Sequence, residues 1–310
     1  MQAPEPQPFN QASRSLCLSE RLLGGLLRLL PVRHGRHLLL SHLDRSIRLG
    51  GKGWADVPFP NGSIVIDSGD LVGRHFALLR DFDPHVCDVL AATAAGGDTP
   101  SVLWDIGANQ GTCSYQMIRR VPGIRVVAIE PQAELFALLN HNLNSLAPGR
   151  YETFHVGIGS QNDQLTLTIE DGNRGHASLY ETDVNTSSTS ETVSIVTPGD
   201  VLERSTMGPP DLIKIDVEGY ESVVIEALGK QLAMWSTRAI VFESHLETRP
   251  KFVAMIDTLT SAGYDIYRIT KTINRTLLYP LATSSQPATD FVALRQGAGR
   301  SGALKRMMRS

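Results

Sequence analysis

Carboxylates close three short apolar runs in this sequence, at Asp105 after Val102-Leu103-Trp104, at Glu130 after residues 125–129 and at Asp216 after Leu212 to Ile215. An acid at the end of a buried strand is a fixed acceptor for hydroxyl or ammonium groups. Behind Asp105 the chain runs Ile106-Gly107-Ala108-Asn109-Gln110-Gly111, a glycine loop that lets bare backbone approach a ligand before a helix begins near Thr112. The spacing separates two kinds of nucleotide. A pyrophosphate site asks for Gly-x-Gly-x-x-Gly, whereas here three residues part Gly107 from Gly111, and an acid just ahead of the loop repels phosphate. A cationic, phosphate-free nucleoside such as S-adenosylmethionine fits better. A nicotinamide-dependent oxidoreductase on a similar sheet, a non-catalytic binding module and a turn with no ligand at all are the alternatives.

Glu130 lies about 20 residues past the loop, where α/β nucleoside sites hold the ribose hydroxyls. It also precedes Pro131, so capping the next helix is a second, compatible role. Ile158, set between Gly157 and Gly159, is placed to lie against an adenine ring. Because ligands bind at the carboxyl ends of parallel strands, Asp105, Glu130 and Asp216 are expected on one cleft.

The elements that must position these groups read as alternating strands and helices. Asp83 is the expected N-cap of a helix from Pro84 to about Ala95, ended by Gly96 and Gly97. A helix over residues 110–121 follows the loop, and Phe136, Leu139, Leu143 and Leu146 stripe the next one. Residues 152–159 read as a third strand, 164–170 and 192–196 as alternating strands, and 238–243 as a further buried strand. Strands at 264–270 and 289–294 form an expected antiparallel pair at the sheet edge. The polar stretch 171–191 has no apolar period and reads as a mobile loop, a candidate lid.

Ahead of this domain, residues 1–11 are rich in Pro and Gln and read as disordered, residues 63–67 as part of a small hairpin, and 16–49 as helical. Leu22, Leu23, Leu26, Leu27 and Leu30 recur at helical spacing; packing on the chain's own domain is the simpler reading, and contact with a membrane surface or partner through residues 16–30 the other. The run is too short to span a bilayer and lacks the features of a signal peptide. The expected division is a disordered terminus (1–15), a helical and hairpin extension (16–80), a catalytic domain (81–296) and a basic flexible tail (297–310).

The chain has 310 residues, 42% of them hydrophobic, and a formal charge of −3, so a sizeable core is expected and no basic excess points to nucleic acid. Cys17, Cys87 and Cys113 are odd in number and unclustered, which gives neither a disulfide framework nor a zinc pattern and makes a reducing cytoplasm the default.

DIGANQG at 105–111, the acid-proline pair Glu130-Pro131 and LIKIDVEGYE at 212–221 together resemble the FkbM family of S-adenosylmethionine-dependent methyltransferases, over roughly residues 81–294. The last motif is the most specific. The resemblance implies a class I methyltransferase-like (Rossmann-like) α/β fold with a mostly parallel sheet, to which the residue pattern adds an antiparallel edge strand and a helical N-terminal extension. It implies S-adenosylmethionine as cofactor, with Asp105, Gly107, Asn109 and Gly111 around its methionine part and Glu130 on its ribose. Phe82-Asp83-Pro84 stands where the family carries a Tyr-Glu-Pro-like step, which makes Asp83 a further cofactor candidate. It also implies methylation of a hydroxyl on a sugar, glycan or secondary metabolite. An alcohol attacking a methyl group in line needs a base or a metal to raise its nucleophilicity. Asp216 and His245 each follow a strand directly and are the base candidates, with Glu218 beside them; Asp216, Glu218, Glu243 and His245 could alternatively hold Mg²⁺. Lys214 has no assigned partner beyond a carboxylate or a helix dipole.

Overall fold

The computed structural model describes residues 14–44, 53–59, 62–97, 100–170, 188–244 and 250–309. The expected disorder of residues 1–11 lies outside the described residues, as do most of the candidate lid and His245.

At the N-terminal side, β1 (Arg14–Ser15) pairs in parallel with β2 (Trp54–Phe59), so the expected disordered terminus gives way to structure by Arg14. Helices α1 (Leu18–Leu29) and α2 (Gly35–Asp44) lie between them in sequence. Strand β3 (Gly62–Asp67) closes the expected hairpin with β2, and α3 (Leu71–Leu79) follows. Buried Ala55, Val57, Ile64 and Ile66 join Phe76 and Tyr115 in one small core, which ties the extension to the main domain. Asn142 strengthens the tie by exchanging hydrogen bonds with both backbone groups of Val65 (2.8 Å each).

The main domain begins with α4 (Pro84–Ala94), β4 (Val102–Ile106), α5 (Thr112–Arg120), β5 (Arg125–Ile129), α6 (Ala133–Leu146) and β6 (Tyr151–Phe154). It continues through β7 (Gly157–Ile158), β8 (Asp163–Glu170), β9 (Ser188–Val196), α7 (Pro198–Arg204), β10 (Leu212–Ile215), α8 (Glu221–Leu232) and β11 (Ala239–Glu243). The last elements are α9 (Pro250–Ser261), β12 (Tyr264–Lys271), β13 (Thr276–Pro280), β14 (Asp290–Arg295) and α10 (Gly302–Met307).

Eight strands form the central sheet in the order β13-β12-β14-β11-β10-β4-β5-β6. Strands β4, β5, β6, β10 and β11 are mutually parallel, while β14 inserts antiparallel between β11 and β12. The expected pair of late strands exists, but β13, not foreseen, pairs outside β12 and takes the edge. Both faces are covered. Trp104, Ile106, Ile213, Ile215, Ile240 and Phe242 point into one core and Leu103, Val126, Ala128, Leu212 and Val241 into the other, which is why the strands read as continuous apolar runs. The chain winds from β4 toward β6 in one direction and from β10 toward β13 in the other, so the sheet's crevice opens between the carboxyl ends of β4 and β10.

Two expectations are corrected. The strand expected at 152–159 is broken in two: β6 stays in the central sheet, whereas β7 leaves it to pair with β9 in a separate three-stranded sheet with β8. A Cβ at Gly157 would sit 2.7 Å from Ile195 Cδ1, so glycine lets β7 approach β9 without displacing that side chain. The expected flexible tail contains α10. Ser301 accepts from Leu304 N–H (3.0 Å) and donates to Ala92 O (2.6 Å), and Leu304 is buried, so a cap and one apolar anchor outweigh the segment's basic, glycine-rich composition.

Candidate active site

The glycine loop turns because Gly107 adopts φ +75° directly against β10: a side chain there would collide with the backbone carbonyl of Asp216. Gly107 and Ala108 both donate to Ile129 O (3.0 Å each), and Gly111 donates to Ala108 O (2.9 Å). The loop therefore rests on β5 as well as β10. A cavity of about 280 Å³ opens beside it. Gly107, Ala108 and Asn109 line one wall, Glu130, Gln132, Leu135 and Ile158 a second, and Asp83, Asp216, Glu218 and Glu243 a third. Leu71 and Val72 of the extension reach the same space.

Glu130 emerges at the end of β5 and is buried. Its two oxygens accept from different backbone donors, Oε2 from Asn109 N–H (2.8 Å) and Oε1 from Gln132 N–H (3.0 Å). Burial pushes its carboxyl up to about 7, against the pull of those two bonds. Nearby, Gln132 Oε1 and Asp70 Oδ1 are buried with no hydrogen-bond partner among the described residues. Two orphaned acceptors on the cavity wall suit a ligand that brings donors. Gln132 had no sequence signal beyond following the acid-proline pair.

Asp105 departs from its expected place. It is fully buried and does not line the cavity. Its Oδ2 accepts from Ser114 N–H (3.0 Å) and Oγ–H (2.6 Å), fixing the first turn of α5. Its Oδ1 lies 3.3 Å from Lys214 Nζ. The β4–β10 register sets Lys214 opposite Asp105, and the same ammonium reaches Asp216 Oδ2 (3.2 Å) and Gly107 O (3.2 Å). Burial opposes the charge on Lys214, yet Asp105 and Asp216 hold its pKa well above the ordinary value. Lys214 is thus the cross-brace between the loop and β10, a role the sequence left open.

The third wall is a cluster of acids. Asp216 is partly exposed and Glu218 adopts φ +50° at its rim. Asp83 precedes α4 with φ +42° and makes no side-chain cap, so the expected capping bond is absent and the residue instead lines the cavity. Burial raises the Asp83 carboxyl, with His85 opposing and Asp290 and Asp216 adding to the rise. Glu243 is pushed up to about 8 by burial first, then by Asp216, Asp290, Asp83 and Glu218. Asp290, behind them, goes the other way: burial opposes it, but His85 Nε2 (3.1 Å) and Lys271 Nζ (3.3 Å) hold its carboxyl below the usual range. No set of three or more His, Cys, Asp or Glu side chains arranged to hold a metal occurs among the described residues, which do not include His245.

The strand order and this crevice define a class I methyltransferase-like fold, a mostly parallel α/β sheet with its site at the switch between β4 and β10. Residues 105–266 match the family described as the methyltransferase FkbM domain, and the chain belongs to that family. AglP of Haloferax volcanii, a hexuronic acid methyltransferase, is 27% identical over 189 residues, covering 59% of this chain and 72% of that protein. Among solved structures, precorrin-6y C5,15-methyltransferase from Geobacter metallireducens superposes with a TM-score of 0.39 at 15% identity, over 68% of this chain and 87% of that one. Magnesium protoporphyrin IX methyltransferase from Synechocystis, solved with bound S-adenosylmethionine, gives a TM-score of 0.37 at 12% identity, over 69% and 78% respectively. No described helix is long and apolar enough to cross a membrane.

Proposed function

We propose that this chain is an S-adenosylmethionine-dependent O-methyltransferase whose acceptor is a hydroxyl on a sugar, glycan or secondary metabolite. The observation that carries the reading is Glu130, a buried carboxylate pinned by two backbone N–H groups on the wall of a cavity that also holds unpaired acceptors. Cofactor binding supplies an electrophilic methyl group on a cationic sulfur. Glu130 accepts the ribose hydroxyls, Ile158 packs on the adenine, and the backbone of Gly107 to Asn109 faces the amino-acid end. Asp105 acts one step back, through Ser114 and Lys214, and Gly111 by starting α5. The extension 16–80 serves as a cap through Leu71 and Val72.

Acid–base work falls best to Glu243. A general base is most effective with a pKa near the working pH, and Glu243 is pushed up to about 8. It would take the proton of the acceptor hydroxyl, whose oxygen gains the methyl group as the methyl–sulfur bond breaks and the neutral thioether leaves. Asp216, braced by Lys214, orients the acceptor, and Glu218 and Asp83 add negative potential that favours a cationic cofactor. The hexuronic acid named for the Haloferax relative supports a sugar acceptor.

Isothermal titration with S-adenosylmethionine, followed by transfer of a labelled methyl group to a panel of neutral sugars, uronic acids and glycans, tests the reading. Micromolar or tighter binding that is lost in Glu130→Ala, with label in an ether-linked product, is expected. Folded wild type that binds no S-adenosylmethionine would refute it.

A further inference from the structure

Helix α1 is apolar on two opposite sides. Gly24 and Leu27 are buried, and Leu27 packs against Leu40, Leu78 and Leu79. At about 100° per residue, Leu18, Leu22, Leu26 and Leu29 fall within one quarter of the circumference on the other side. All four face solvent, at 71%, 59%, 65% and 81% exposure. Own-domain packing, the simpler expectation for this helix, accounts for Leu27 and the partly buried Leu23 but leaves this stripe without a partner among the described residues. Arg21 lies along one side of it, Arg28 is turned back to donate to Leu78 O (2.6 Å), and the helix's one acid, Glu20, is turned inward and bonded to Arg14.

The end of α1 leads into a basic cleft. Arg33 N–H donates to Asn274 Oδ1 (2.8 Å) and His34 N–H to Ile273 O (3.0 Å), which pins the segment after α1 to the β12–β13 turn. Ile273 is itself 62% exposed. From that turn a second cavity of about 820 Å³ extends beneath α10, bordered by Arg33, Arg120, Arg275, Arg306 and Arg309 with Asp88 as its acid. Asp88 is already shared by Arg33 (2.6 Å) and Arg120 (3.2 Å). Arg275 and Arg306 are exposed and form no ion pair among the described residues. Five guanidinium groups about one carboxylate, on a chain of net charge −3, form a local field suited to phosphoester anions.

We infer that α1 and the arginine cleft together form a docking surface for an anionic phospholipid bilayer, with the exposed leucines entering the headgroup–acyl boundary and the cleft taking lipid phosphates. Neither half suffices. An apolar stripe alone fits any greasy partner, and a basic cleft alone fits any polyanion, but a leucine helix whose chain runs on into a basic cleft matches the interface of a membrane, where apolar and anionic layers adjoin. The surface lies outside the methyl-transfer cavity, and the two share no lining residue. It predicts an acceptor presented at a membrane.

Co-sedimentation of the full chain with phosphatidylcholine vesicles, with and without phosphatidylglycerol, tests the inference. Binding is expected only with the anionic lipid and to weaken as salt rises. Arg275→Ser with Arg306→Ser should weaken it by about 25-fold, from ~5-fold per arginine, and Leu22→Ser with Leu26→Ser by about tenfold or more. Both double variants should keep the wild-type melting temperature and S-adenosylmethionine affinity, which separates failure here from failure of the proposed function. Equal binding to neutral vesicles, or wild-type vesicle affinity in both variants, overturns the inference. So does titration showing that glycerol phosphate or a short RNA occupies the cleft while vesicles of either composition are ignored.

Discussion

Replacing Glu243 by glutamine should make the ligand-free protein more stable while removing its activity. Its carboxyl sits at about 8 instead of the ordinary 4.5 because ionising it means burying a charge beside Asp216, Asp290, Asp83 and Glu218. A rise from 4.5 to about 8 disfavours the ionised form by ~5 kcal/mol at 1.36 kcal/mol per pH unit, and solvent screening of this incompletely buried group reduces that to ~2 kcal/mol. The sign follows from proton linkage. A carboxyl with a raised folded-state pKa costs nothing below pH 4.5, costs more as pH rises from there, and exerts its full cost above pH 8. Glu243→Gln and wild type should therefore melt together near pH 4.5 and diverge by about 4 °C at pH 9, taking ~2 °C per kcal/mol for a domain of this size. Differential scanning fluorimetry across that range measures the gap. The companion assay is methyl transfer against pH: wild-type kcat/KM, which reports the ligand-free enzyme, should rise through about pH 8, and the variant should lose at least 100-fold with no such rise. A gap independent of pH, or a variant that retains the wild-type pH profile, would refute both the burial of charge at Glu243 and its role as base.

Glu130 responds to pH in the same direction, with its carboxyl at about 7. Binding a cation in the cavity stabilises ionised carboxylates, so S-adenosylmethionine uptake at pH 6 should release protons, seen as a binding enthalpy that varies with buffer. In Glu130→Gln the amide nitrogen must face one of two backbone donors, which should weaken S-adenosylmethionine binding tenfold or more, ~1–3 kcal/mol for the unsatisfied group. Lys214→Met leaves Asp105 buried with its partner gone; a loss of ~3–5 kcal/mol is expected in chemical denaturation. Of the three cysteines, Cys17 is exposed and should react with a maleimide at once, whereas buried Cys87 and Cys113, with sulfurs 3.9 Å apart, should react only on unfolding.

Much of the molecule was legible in local pattern. Apolar runs bounded by glycines and acids located β4, β5 and β10, because strands buried on both faces leave no room for polar residues until they emerge at the carboxyl end. Proline after Asp83 and the glycine pair at 96–97 bounded α4 for similarly local reasons. The acid positions around the cleft followed from topology once alternating strands and helices were recognised.

What the sequence by itself determined, then, was the identity of the central strands β4, β5, β10 and β11, the place of the glycine loop and which carboxylates stand at strand ends. It could not say which way each acid points. In a strand buried on both sides, Asp105 carries no apolar alternation to mark its face, and only pairing with β10 sets it against Lys214 instead of in the cavity. Nor could the sequence say that Glu243 would be pushed up to about 8, since desolvation depends on how closely other elements pack around a group. The same holds at α1, whose leucine period was plain while the choice of which leucines Leu40 and Leu78 would cover belonged to the packed chain. Local pattern records what a residue is next to in sequence; charge state, exposure and ligand contact are set by neighbours that only tertiary structure brings near.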